Sequence, residues 1–173
     1  MAEISIDQTL GPVVNRVADE RNVLESFLDF HRAMLLRKVR DLSDADAARR
    51  LVPSATTLAG LVKHLTVVER SWFHILLDPA PGEAFPTTEQ AALASFTLTG
   101  SDTVESLAAD YERVCARSRE VAARFDLDHV VPHPQLGEVS LRWILVHLVE
   151  ETARHVGHAD ILRELTDGAT GSV

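Results

Sequence analysis

Apolar side chains recur every three or four positions along four long stretches of the chain, the spacing that places them on one face of an α-helix. From about Val17 to Asp41 the stripe passes through Leu24, Phe27, Leu28, His31, Met34 and Leu35, with Lys38 as a charged exit at its end. Ser43 and Asp46, three apart, predict a short capped helix after it. A second long helix is expected from Thr56 or Thr57, through Leu58, Leu61, Leu65, Val68, Trp72 and Ile75, stopping before Asp78-Pro79. The third runs from about Asp102 to Phe125, with Asp102 and Glu105 spaced as a cap pair and Leu107, Tyr111, Val114, Cys115, Ser118 and Val121 facing inward. The fourth spans about Leu141 to Asp167, with Ser140 as N-cap and Gly168 as the stop.

The segments between these helices are rich in breakers. Pro79 to Gly100 holds three prolines and two glycines and reads as a long connection, with a helical turn or more at Thr88 to Ser95. Asp126 to Val139 contains Pro132, Pro134 and Gly137 and reads as a second irregular crossing. No strand-like alternation longer than a few residues appears. The pattern predicts an all-α four-helix bundle with long inter-helix connections, one domain over residues 1–173, and a flexible tail at 168–173.

Composition narrows the function classes. With 46% hydrophobic and 25% charged residues the chain is an ordinary globular sequence, and aromatics at 5% leave Leu, Val and Ala to fill the core. A net charge of −9 with scattered Lys and Arg argues against nucleic acid as a partner. The single cysteine, Cys115, excludes an intrachain disulfide framework and suits a small core residue better than a nucleophile. The apolar run Trp143-Ile-Leu-Val-His-Leu-Val149 is too short to span a bilayer, so no membrane partner is expected. Met1-Ala-Glu-Ile-Ser-Ile-Asp7 lacks the layout of a secretory signal, and the expected location is the cytoplasm.

The unusual feature is on the fourth helix. His147, Glu151, His155 and His158 are spaced four, four and three apart, which at about 100° per residue confines them to an arc of roughly 80°. Ile144, Leu148 and Ile161 flank the arc, so it borders the core. Three imidazoles and a carboxylate are costly to bury without partners, and a divalent cation would satisfy them together. His64, between Leu61 and Val68 on the inner half of the second helix, is the best ligand from a facing element. The expected ligands are His64, Glu151 and His155, with His158 as an outer partner or proton relay and His147 in core packing. Glu69 and Arg154 are candidates for ion pairs at the edge of the centre or on the surface, with the surface reading favoured. Trp72, Phe73 and Phe85 are candidates for an apolar homodimer patch.

These residues resemble the DinB-like superfamily of four-helix-bundle metalloproteins, which includes YfiT-like proteins and thiol-dependent transferases. The resemblance is carried by Leu51-Val-Pro-Ser54, Leu61-Val-Lys-His-Leu65, Glu69-Arg-Ser-Trp-Phe73 and the long block from Trp143 to Glu164. Many members place two histidines four apart on the last helix. Here Glu151 stands at the first of those positions, a pattern similar to the metal-binding domain of mycothiol-dependent maleylpyruvate isomerase, whose ligands fall on His64, Glu151 and His155. The additional C-terminal domain of that isomerase is not expected, so isomerase activity does not carry over. The resemblance implies a thiol S-transferase that activates a low-molecular-weight thiol such as mycothiol for attack on an electrophilic small molecule.

The donor set suits zinc or nickel. The same ligands could activate water, which keeps a metal-dependent hydrolase open as an alternative. A non-enzymatic, stress-response metal-binding protein is the third reading.

Overall fold

The computed structural model describes residues 17–170, so the expectations for the extreme N-terminus and for the last three residues of the tail lie outside the described residues. Four long helices carry the architecture. Helix α1 is Glu20–Val39, capped by Asp19, and a single capped turn, α2, follows at Asp44–Ala47. Helix α3 is Leu58–Glu69 and continues without a break into a π-helical run at Arg70–Leu77. A short α4 at Glu89–Ala94 interrupts the long connection, and α5 is Val104–Ala122. Helix α6, Leu141–Asp167, starts at Ser140 and ends at Gly168, whose φ of 78° supplies the left-handed C-terminal turn. α1 packs along α6 and α3 along α5, the helical bundle expected from the apolar periodicity.

Three local features differ from the sequence expectations. Asp126 to Val139 is not merely irregular: Val130–His133 (β1) pairs antiparallel with Gly137–Ser140 (β2), with His133 opposite Gly137. The turn Pro134-Gln135-Leu136 closes through Gly137 at φ 83°, a three-residue hairpin loop. Pro132 is tolerated because a two-stranded sheet leaves every strand an edge. The cap of α5 is Thr103 with Ser106 in a reciprocal box, while Asp102 instead accepts from Lys63 and the Thr99 backbone. The π-helical end of the second helix has no proline or glycine to announce it.

The interior divides into two apolar clusters, and α1, α5 and α6 contribute buried residues to both. One gathers Met34, Leu35, Leu61, Leu65, Tyr111 and Leu162. The other gathers Leu28, Phe73, Val131, Val139, Ile144 and Leu148 around the hairpin. Along α6 the second cluster ends at Leu148 and the first resumes at Val156, which leaves Glu151 and His155 in the seam. Glu69 lies in the same seam and corrects the surface expectation. It is 1% exposed and meets Arg32, itself buried, through two bonds of 2.7 and 2.6 Å. Lys38, expected as a charged exit, is also buried, 2.6 Å from Asp160. Trp72 and Phe73 are core residues, so they supply no exposed dimer patch. Among the described residues no helix is long and apolar enough to cross a membrane.

Candidate metal centre

His64 owes its setting to the start of α3. Thr57 caps the helix by accepting the Gly60 N–H. Gly60 is required for close approach, since a Cβ there would meet the Phe96 carbonyl oxygen at 2.8 Å and Thr57 Oγ1 at 2.9 Å. The missing side chain lets the residues after α4 lie against α3. Phe96 then stacks on the His64 ring, centroids 3.9 Å apart, and Ser95 Oγ comes within 2.7 Å of His64 Nδ1.

That contact decides the imidazole's tautomer. The Ser95 hydroxyl donates its own proton to the Ala92 carbonyl, so its oxygen accepts and His64 Nδ1–H donates. The neutral ring therefore carries its lone pair on Nε2. This Nε2 is buried and has no hydrogen-bond partner.

Glu151 and His155 reach the same point from α6. Glu151 Oε1 lies 3.1 Å from His155 Nε2 and 3.5 Å from His64 Nε2. The other carboxylate oxygen accepts from Arg154 at 3.0 Å, so the guanidinium turns Oε1 toward the two rings. Arg154 is thus an outer partner of Glu151 and not only a surface ion pair. The hydrogen bond from His155, the largest influence on it, holds the Glu151 carboxyl well below the usual range. Behind His155, its Nδ1 meets Nδ1 of the exposed His158 at 3.3 Å.

One donor atom from each of His64, Glu151 and His155 lies within 4.8 Å of the other two. Ligands about 2.1 Å from a tetrahedral ion are roughly 3.4 Å from one another, close to the separations of 3.1 and 3.5 Å seen here. The orphaned Nε2 and the mixed nitrogen and oxygen donors fit a divalent cation.

A family model described as mycothiol-S-transferase matches residues 23–168, most of the chain. The chain belongs to the mycothiol-S-transferase family. No curated protein compared with it matches. Membership implies a transferase that uses mycothiol as cosubstrate with an electrophilic acceptor, the activity that the resemblance also implies.

One cavity of this mycothiol-S-transferase family member borders the centre at His64, and a second lies beyond it at His158. The first, of about 290 Å³, is bordered by His64 and Ser95 and walled by Trp72, Phe85 and Trp143. The second, of about 370 Å³, lies beside His158, with Val52 and Ile161 in its wall. Of the four-residue stripe on α6, His147 does not join the centre. It packs against Trp72 and Trp143 at centroid distances of 4.7 and 5.1 Å, within the first cavity.

Sequence reasoning missed Ser95, Phe96 and His133. Ser95 and Phe96 sit in the breaker-rich connection, where no periodicity marks an inward side chain. His133 sits on a strand that alternation over four residues could have signalled. Cys115 is the buried core residue expected, and burial pushes its thiol up to about 12, which removes it as a nucleophile.

Proposed function

We propose that the chain is a metal-dependent mycothiol S-transferase in which His64, Glu151 and His155 hold one divalent cation. The observation that supports this most is the unshared electron pair of His64 Nε2, aimed at the Glu151 carboxylate. His64 Nε2 is stripped of its proton by the Ser95 contact and faces a carboxylate oxygen at 3.5 Å, an arrangement that a cation relieves. When bound, the cation favours the thiolate form of a coordinated thiol.

The chain's own residues prepare that chemistry. Two neutral imidazoles and one carboxylate leave a divalent site with one positive charge, which a thiolate neutralises. Ser95 fixes the ring of His64, and Arg154 fixes the carboxylate of Glu151. With a cation on His155 Nε2 the ring's proton would sit on Nδ1, where His158 Nδ1, 3.3 Å away, would accept it and position the ring. The cavity beside His64 and the one beside His158 give the thiol and the electrophile a chamber each. The ligand set would serve a hydrolase equally well, and the family assignment is what favours the thiol.

Zinc is the ion proposed, with nickel as its rival. One folded domain carries the site, a reading supported by helices that share both core clusters. A cytoplasmic location fits a free cysteine and a reduced thiol cosubstrate. A homodimer remains part of the proposal only through a surface other than Trp72 and Phe73.

Untagged protein titrated with zinc tests the reading. Free zinc at a hundred times its dissociation constant stabilises the fold by about 2.7 kcal/mol, raising the melting temperature by roughly 5–10 °C. His155→Ala abolishes the shift, and the zinc-loaded protein conjugates mycothiol to a model electrophile. Unshifted melting with zinc and nickel alike defeats the metal assignment. Ester or amide hydrolysis without conjugation defeats the transferase.

A further inference from the structure

His133 stands apart from the proposed ligands, yet it is as constrained as they are. The ring is 7% exposed, and its Nδ1 accepts two backbone N–H bonds, from Gln135 and Leu136, each at 3.1 Å. Both contacts are donors, so Nδ1 carries the lone pair and the neutral ring keeps its proton on Nε2. Burial lowers the pKa of the imidazole, which holds the ring in that neutral form. Nε2 is buried and has no hydrogen-bond partner.

The ring lines the cavity that also borders His64. It stacks on Trp72 at 5.1 Å and meets the edge of Phe85 at 4.7 Å. At about 290 Å³ the space is at the small end of ligand pockets. An aromatic chamber in which His133 Nε2–H is a fixed donor without a partner suits a flat ligand that offers an acceptor oxygen.

We propose that this cavity binds the electrophile as a small, planar, unsaturated carbonyl compound, with His133 Nε2–H donating to its carbonyl oxygen. The inference rests on the transferase reading and adds its substrate class. The thiolate sulfur forms a bond to the β-carbon, and the C=C electron pair shifts to give an enolate whose charge rests on the oxygen held by His133. The α-carbon then takes a proton from water, and nothing is oxidised or reduced. A donor already aimed at that oxygen stabilises the charge as it develops.

The test uses a pair of unreactive probes, 1-indanone and indane, which differ by the carbonyl oxygen. Trp72 and Trp143 are the chain's two tryptophans and both border the cavity, so their fluorescence reports occupancy. Titrated into metal-free protein, indanone is expected to bind about tenfold more tightly than indane, the worth of one hydrogen bond to a desolvated donor. His133→Gln places an amide nitrogen near the position of Nε2 and keeps the preference. His133→Asn places an oxygen near Nδ1, so it still caps the turn, but it cannot reach the cavity, and the preference falls to about unity.

A preference retained in His133→Asn, or absent from the wild type, overturns the proposal. So does failure of indanone to bind. If His133→Gln does not fold for want of the turn acceptor, the Asn variant decides alone. Because metal-free protein is used, a failed zinc titration leaves this result standing, and lost carbonyl preference with intact zinc binding rejects only the substrate class.

Discussion

Replacing Ser95 with alanine separates the affinity of the metal centre from the stability of the fold. In the wild type the hydroxyl accepts the His64 Nδ1–H at 2.7 Å, and the lone pair on Nε2 faces the site. Without that acceptor the ring has a better alternative in the metal-free chain. Its proton moves to Nε2, where Glu151 Oε1 waits 3.5 Å away, and the freed Nδ1 can accept from water in the adjoining cavity. Metal-free stability therefore changes by less than about 1 kcal/mol, below the usual cost of about 1–3 kcal/mol for an abandoned buried donor. The cost falls on metal binding, which must undo the new hydrogen bond. An affinity loss of about 10- to 100-fold is expected, or roughly 1.4–2.8 kcal/mol. Competition between the protein and a chromophoric chelator for zinc measures it, alongside urea unfolding of the metal-free form. Ser118→Ala is the control, since that hydroxyl contacts His74 at 3.2 Å, away from the proposed ligands. Zinc affinity in Ser95→Ala within twofold of the wild type would refute the tautomer argument.

Two further outcomes follow from other parts of the molecule. Glu69→Ala strands the buried Arg32 guanidinium with only Asp29 near it, at 2.8 Å, and should cost about 3–5 kcal/mol in urea unfolding. Arg32→Met with Glu69→Leu should restore most of that stability, and strictly additive losses would contradict a paired role. Metal-free protein should lose stability as pH falls from 7.5 to 5.5, read as a falling urea midpoint. Burial depresses the imidazoles of His31, His74, His133 and His147. A depressed folded pKa contributes stability that is complete above the unfolded value near 6.5 and is lost as pH drops through the folded value. Glu151 stays ionised throughout that window. A flat midpoint, or an unchanged slope in His147→Phe, would count against the sign.

The apolar stripes of the four long helices were legible because a helix face must be apolar wherever it meets a core. Ser140 and Gly168 bound α6 as expected, since caps act within a turn of where they stand. Glu151 and His155 were legible for the same local reason, one helical turn apart on one face. Glu69 and Lys38 were misplaced because a charge has no local signal for burial. Arg32 and Asp160, 37 and 122 residues away, decide it. The hairpin was missed because its strands are four residues long and carry a proline.

The sequence by itself determined the helices, the seam in their apolar faces and the donor atoms one face of α6 could present, because these depend on neighbours within a turn. Only the tertiary structure decided that His64 meets those donors, that Ser95 sets its tautomer and that His133 lines the adjoining cavity. Each of those depends on segments that are distant along the chain and held together by packing. Gly60 shows why such facts stay hidden. A missing side chain leaves no pattern in the sequence, yet it admits the backbone at Phe96 that carries Ser95 to the ring.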